Sequence, residues 1–517
     1  MLWGFTIAFS DGGMSKGAYN LHSVFGSLAH GALAGVNTHR LAAGATYPMS
    51  VQVVYQLTFA IITVGLITGA YAERMRYSAV LLFSALWLLA VYCPLAHMVW
   101  AGDGALLHDF GALDFAGKWP AGSAPLCLAR ELTGLRRAGG LVVHINSGVA
   151  GLVIALCIGK RDGYPRIPRA PHSLVLSQVG ASLLWVGWFG FNAGSAGAAG
   201  YSAGQAMLVT HTASAMGALS WSAVEWLSFG RPSTLGLISG AVAGLVAITP
   251  ASGSAGMLGA LCIGGVAGAA TFFASTRLKE AIDLYDDALD AFGVHGVGGI
   301  VGALLTGVWC APGLGGVGFG TFIHRGGRAA PITNIGWQLG VQAASVALAV
   351  AWSAVGTLLA LKATDLLHGG FHPRLRLRAI RVAPEVEKRG LDEAQFAEAG
   401  YNLLQSDMRI SVEVGPLRGR RGHGLQLYSH DEDGTRHPIS LSHSDSAHDE
   451  LAEQLLAAGG IVDIVCSSAP HAHVFHTKEV SVHGGNEVHA HGGDAAGYAL
   501  AHSTTTTVEM TPRAIAE

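Results

Sequence analysis

Charge is what this sequence has least of. Only 13% of its residues are Asp, Glu, Lys or Arg, against about 25% in an ordinary soluble domain. The two signs nearly cancel, leaving a net charge of −3. Such a balance offers no bulk attraction to nucleic acid or another polyion. Cysteine is also sparse. Positions 93, 127, 157, 262, 310 and 466 fall mostly in apolar runs, with no CxxC or metal-type spacing. They read as buried thiols. No HExxH pattern and no GxSxG elbow occurs, so the sequence pairs no nucleophile with a base. An enzyme is therefore not expected, nor is a cofactor or a metal site. Met1 runs directly into the apolar "LWGFTIAF" with no basic n-region, so no secretory signal is read.

What the chain has in plenty is apolar surface and glycine. Half of its 517 residues are hydrophobic, and the mean hydropathy is +0.41. Nearly all the apolar runs lie in residues 1–365, where most of the 72 glycines also fall. Helices in lipid associate by close packing, and small residues allow it. A span of the hydrocarbon core needs about 20 mainly apolar residues. Nine stretches qualify: 51–71, 78–99, 140–159, 173–193, 203–227, 233–250, 254–275, 292–310 and 333–362. Residues 1–10 form a further apolar fragment, too short to cross. The expectation is an all-α polytopic protein of the lipid bilayer.

The loops between spans carry uneven charge. One alternating set ("ERMR" at 73–76, residues 159–171, "GRP" at 230–232 and "RLKE" at 277–280) holds nine Lys or Arg. The other holds Arg325 and Arg328, plus four in one unusual loop. The positive-inside rule makes the first set cytoplasmic. Nine spans then leave the C-terminal tail in the cytoplasm too.

Ionisable groups inside a membrane are costly and mark pathways. His97 and His211 read as ordinary histidines satisfied by a neighbouring carbonyl or by headgroups. His144 and His295 differ, because their surroundings match: V-H-x-x-x-G and V-H-G-V-G-G, each opening a Gly-rich span. Neutral imidazoles can share a proton, one donating and one accepting. Two facing rings in a dry pore could hand on a small hydrogen-bonding solute or a proton.

Seven segments, taken in order, resemble ammonium transporters of the Amt/Mep/Rh superfamily, on the Amt side. They are "TFAIITVGLITGAYAERMRYSAVL" (58–81), "PLAHMVWAGDG" (94–104), "GALDFAG" (111–117), "GGLVVHINSGVAGLV" around His144, "GWFGFNAGSAG" (187–197), "GAVAGLVAITPASG" (240–253) and "DDALDAFGVHGVGGIVGALLTG" (286–307). The resemblance implies the ammonium-transporter fold, which has 11 spans in the family, and a homotrimer with one pore per subunit. It implies that His144 and His295 are the paired pore histidines and that Phe59 and Phe191 close the outer mouth. Trp100 and Ser195 match the outer recruitment site for the cation. Asp114 matches a buried carboxylate of structural and electrostatic support, a role given also to Asn192 and Asp290. The implied substrate is ammonium or ammonia, with methylammonium as an analogue, and the implied role is nitrogen uptake, with the plasma membrane as the expected location.

The chain departs from the family pattern twice. Met1 falls within what corresponds to the second span, which favours a truncated gene model. Asp114 and His144 lie thirty positions apart, where the family has eight. Removing the 22 residues 118–139 restores "DFAGGLVVH". These residues also carry Lys118, Arg130, Arg136 and Arg137, the four basic residues of the unusual loop. Gly117-Lys118 and Ala138-Gly139 can be encoded as a splice donor and acceptor, so a retained in-frame intron is the hypothesis for this insert, with a genuine extracellular loop as the alternative.

Residues 366–402 are expected to form a cytoplasmic regulatory tail. Within them "IRVAPEVEKRGLDEAQFAEAGYN" (380–402) resembles the family's cytosolic segment, which implies regulation and, by analogy with bacteria, a PII-type partner. Residues 403–517 are rich in histidine, including "HAHVFH" (471–476) and "HAH" (489–491), without the regular spacing of a metal site. "MRISVEVGPL" and "GGIVDIVCS" suit short strands, and a largely disordered extension is expected for the rest. Two alternatives to a transporter stand beside it: an ammonium sensor signalling through the tail, and an inactive truncated version of a transporter.

Overall fold

The computed structural model describes residues 2–36, 39, 41–42, 47–115, 139–166, 171–282, 285–369 and 379–398, together with strands between 408 and 484. The chain divides into two compact units, Met1–Glu398 and Ala399–Glu517.

The first unit is helical. The short helix α1 (Gly4–Phe9) is followed by α2 (Met49–Tyr71), α3 (Tyr77–Trp100) and α4 (Gly140–Ile158). Next come α5 (Leu174–Ala196), α6 (Tyr201–Phe229), α7 (Thr234–Ala251) and α8 (Met257–Ala281). The last long elements are α9 (Ala291–Trp309) and α10 (Ile335–Leu367). Eight of these helices are long and apolar enough to cross a membrane, so this is an integral membrane protein. The ninth expected span is the 29-residue α6, made less apolar by Gln205, Thr210, His211 and Glu225 along its length.

Polar residues set several of the helix starts. Ser173, Ser233 and Asn334 accept hydrogen bonds from Leu176, Gly236 and Trp337 amides at the starts of α5, α7 and α10. These side chains satisfy donors that have no partner within the helix. Glycine sets the helix spacing. A Cβ on Gly244 of α7 would run into the Ala213 carbonyl of α6, and a Cβ on Gly148 of α4 would run into the backbone of Gly296 in α9. That second crossing fixes the centre of the molecule, because His144 and His295 lie just beside it.

The helices α4 and α9 begin alike. Each opens with a widened π-type turn, Gly140–Ile145 and Ala291–Gly296, and each carries its histidine as the fifth residue. Each is tied at its start by a carboxylate. Asp114 Oδ1 accepts from the Gly140 amide at 2.6 Å, and Asp287 Oδ2 accepts from the Phe292 amide at 2.8 Å. The same device therefore stands at the start of both helices that carry the histidines.

The segment 379–398 belongs to this first unit. The Arg76 amide donates to the Ile380 carbonyl and the Val382 amide to the Arg74 carbonyl. Arg381 donates to the carbonyls of Ile158 and Lys160 and pairs with Glu387. The short helix α11 (Pro384–Arg389) follows. A hairpin of β1 (Thr321–Ile323) and β2 (Ala329–Pro331) joins α9 to α10.

The second unit is described only in its strands. It contains β3 (Met408–Pro416), β4 (His423–His430), β5 (Arg436–Ile439), β6 (Gly460–Ser467) and β7 (His476–Gly484). They form one antiparallel sheet in the order β5-β4-β3-β6-β7. The two segments expected as strands are β3 and β6. The other three were hidden by polar, His-rich composition, although β4 and β7 still alternate apolar and polar residues in part, as in "HGLQLYSH".

Candidate functional site

The crossing of α4 and α9 brings two imidazoles together. His144 and His295 stand Nδ1 to Nδ1 at 3.3 Å, with ring centres 5.4 Å apart and planes within 17°. One nitrogen must donate and the other accept, so a single proton lies between them when both rings are neutral. His144 is 1% exposed, and its Nε2 is buried without a hydrogen-bond partner among the described residues. Around it are Val142, Val143, Ile145 and Val149, all buried.

A second aromatic layer lies next to the pair. Phe59 of α2 is fully buried, and its ring centre is 4.4 Å from that of Phe191 in α5, tilted by 32°. Phe191 lies 6.1 Å from His144. Trp100, at the end of α3, meets Phe59 edge-on at 5.6 Å. Ser195, one turn beyond Phe191, donates to the Phe191 carbonyl at 2.7 Å. Six of the residues singled out from sequence thus form one continuous series: Trp100, Ser195, Phe59, Phe191, His144 and His295.

The three residues expected to give structural support lie around this series. Asp114 is buried and ties down the start of α4 through its Oδ1. Asn192 donates to Thr210 Oγ1 at 2.9 Å and so joins α5 to α6. Asp290 stands at the start of α9 with φ of 57° and accepts from Lys279 Nζ at 2.8 Å. An aspartate tolerates that left-handed backbone better than most residues. His97 has both ring nitrogens within hydrogen-bond distance of carbonyls, those of Ala8 and His22, in keeping with an ordinary buried histidine. His211 packs against Trp185.

Beneath the histidines, at the end that carries the basic loops, Asp286 is the hub. Arg161 grips its carboxylate at 2.7 Å, and Arg74, itself fully buried, lies 3.4 Å away. Burial opposes ionisation of Asp286, but the hydrogen bonds from Arg161 and the charge of Arg74 outweigh it and hold the carboxyl below its usual range. At the opposite end Asp103, His108 and Asp109 bring donor atoms within 4.8 Å of one another. Their contacts there are loop ties: Asp103 to Lys16, and Asp109 to the amides of Gly17 and Gly104.

Residues 118–138 of the insert, with 116–117 before it, lie outside the described residues. Its flanks do not. The Phe115 amide donates to the Pro250 carbonyl, and Gly140 packs so closely on Pro250 that a Cβ there would clash with its ring.

Two residues of the site went unremarked in the sequence. Tyr55 places its hydroxyl 3.0 Å from Ser195 Oγ and its ring edge-on to Phe59 at 5.0 Å. Trp188 lies nearly parallel to His144, with ring centres 5.2 Å apart. Helical spacing was the available signal. Tyr55 precedes Phe59 by four positions, and Trp188 precedes Phe191 by three, so each shares a face with a residue already chosen.

Comparison with known proteins shows the family. The Ammonium Transporter Family profile matches residues 1–401. An ammonium transporter of Aquifex aeolicus is 41% identical over 357 residues, covering 69% of this chain and 73% of its own length. One from Bacillus subtilis is 38% identical over 402 residues, covering 78% and 86%. Among solved structures, that of Saccharomyces cerevisiae Mep2 aligns with a TM-score of 0.59 at 33% identity, covering 74% of this chain and 76% of its own. A protein described as a sensor Amt protein aligns at 0.58 and 25% identity, covering 76% and 84%.

Proposed function

The chain belongs to the ammonium transporter family, and on that premise we propose that it carries ammonium along the route marked by its aromatic rings and paired histidines. The cation is recruited by the Trp100 ring and the hydroxyls of Ser195 and Tyr55, which flank Phe59. A π face attracts a cation, and hydroxyl oxygens accept N–H bonds. Phe59 and Phe191 close the way inward and exclude water. Ammonium and potassium are alike in size and charge, so neither charge nor diameter separates them well. A passage that must be crossed without a hydration shell does, because ammonium can leave a proton behind and potassium has none to leave. Neutral ammonia then passes along His144 and His295, whose nitrogens offer hydrogen bonds where the apolar walls offer none.

The observation that carries this reading is the part-buried Nδ1–Nδ1 contact of 3.3 Å directly behind the closed phenylalanine pair. Growth of an ammonium-uptake-deficient cell on low ammonium tests it. The chain restores growth, and His144→Ala or His295→Ala abolishes the rescue. A rescue that survives both substitutions contradicts the reading.

The basic loops set the orientation: 72–77 and 159–162 face the cytoplasm, and with them the segment 379–398 that binds both. That segment is a regulatory tail, since it is tied to the loops that follow α2 and α4. Assembly as a homotrimer in the plasma membrane, and a PII-type partner for the tail, complete the proposal. The exposed apolar residues of α5, among them Leu183 and Val186, suit contact with lipid or a second copy. A sensor role would show as tail signalling that persists in a His144→Ala chain lacking transport.

A further inference from the structure

Between Leu174 and Asn192, α5 buries only two residues, Trp188 and Asn192. Asn192 ties the helix to α6. Trp188 does something else: its indole lies within 12° of the His144 imidazole plane, at 5.2 Å between ring centres. The indole is itself held. Its Nε1–H donates to Thr249 Oγ1 at 2.9 Å, and the Thr249 hydroxyl spends its one proton on the Leu245 carbonyl at 2.7 Å. The direction of both bonds is therefore fixed, and every partner is buried. Thr249 stands where α7 tightens before Pro250, the residue whose carbonyl receives the Phe115 amide beside Asp114.

The histidine pair needs such a support. His144 is hydrogen-bonded through its ring to His295 alone among the described residues, and one such bond leaves the imidazole free to rotate about χ2. A rotation out of plane would break the 3.3 Å contact. We propose that Trp188, locked by Thr249, is a positioning residue that holds the plane of His144 so that its Nδ1 stays in register with His295. This rests on the transport reading above and goes beyond it by adding two residues that act through His144 rather than on the substrate.

Trp188→Leu removes the flat face, Trp188→Phe keeps a ring, and Thr249→Val keeps the shape and loses the lock. With methylammonium uptake normalised to folded protein, Trp188→Leu lowers the maximal rate by at least about tenfold, in line with the cost of misplacing a pore group. Its KM stays near that of the unsubstituted chain, because recruitment occurs elsewhere. Trp188→Phe retains most of the rate, and Thr249→Val falls between. A high-resolution structure of the Trp188→Leu protein shows the two Nδ1 atoms parted beyond hydrogen-bond length. An unchanged rate in Trp188→Leu, or an unchanged histidine contact in its structure, overturns the proposal. If the unsubstituted chain takes up no methylammonium, the transport reading fails instead, and the histidine contact alone decides the positioning role.

Discussion

Replacing Trp100 by leucine removes the π face while keeping an apolar side chain of similar depth. A cation–π contact contributes about 0.5–2 kcal/mol, and about 1.4 kcal/mol corresponds to tenfold in affinity. Trp100→Leu therefore raises the KM for methylammonium by about two- to thirtyfold and leaves the saturated rate less affected. Concentration-dependent uptake measures both. An unchanged KM removes Trp100 from recruitment. At this scale the histidines, the phenylalanines, Trp100 and Ser195 were legible because they sit in long matched segments. Tyr55 and Trp188 were not, because a Tyr or Trp in an apolar span ordinarily packs. What makes them informative is a partner on another helix: Ser195 for Tyr55 and His144 for Trp188. Those pairings arise from packing across 140 and 44 positions of sequence, which no local pattern records.

The loop end built on Asp286 gives the prediction at the scale of elements. Asp286 joins the loop after α4, through Arg161, to the end of α2, through Arg74. Its carboxyl is held below the usual range, so its contribution to stability is complete above the unfolded value of about 4. That contribution is lost as the pH falls through the lowered folded value. Asp286→Asn strands two cations, one of them fully buried, and costs about 3–5 kcal/mol. Thermal unfolding of the detergent-purified protein, run from pH 7 down to pH 3, shows the substituted chain less stable at neutral pH. It also shows the difference shrinking in acid, and a constant difference across that range contradicts the account. The spans themselves were legible from hydropathy, since apolar length is nearly all a bilayer demands. The π-type turns that carry both histidines were not, and neither was the return of 379–398 onto the loops, whose ties through Arg381, Glu387 and Gln395 reach residues far away in sequence.

At the scale of the whole molecule, the chain pairs a helical membrane unit with a second unit that holds a five-stranded sheet. The membrane class could be read from composition, whereas the sheet was masked by histidine-rich polarity. The insert 118–139 belongs to this scale as well. Phe115 and Gly140 both rest on Pro250, and Asp114 bonds directly to the Gly140 amide, so the chain on either side of the insert is held at one place without it. Deleting 118–139 should leave a folded protein whose methylammonium uptake equals or exceeds that of the full chain, and a deletion that abolishes folding gives the insert a structural part. The most direct test of the transport account uses the purified full chain in liposomes, with methylammonium uptake measured for the unsubstituted protein, His144→Ala and His295→Ala, and potassium offered in excess. The account predicts uptake by the unsubstituted protein that potassium does not suppress, and a loss of that uptake in both variants. Potassium-sensitive uptake, or uptake undiminished without the histidines, would contradict it.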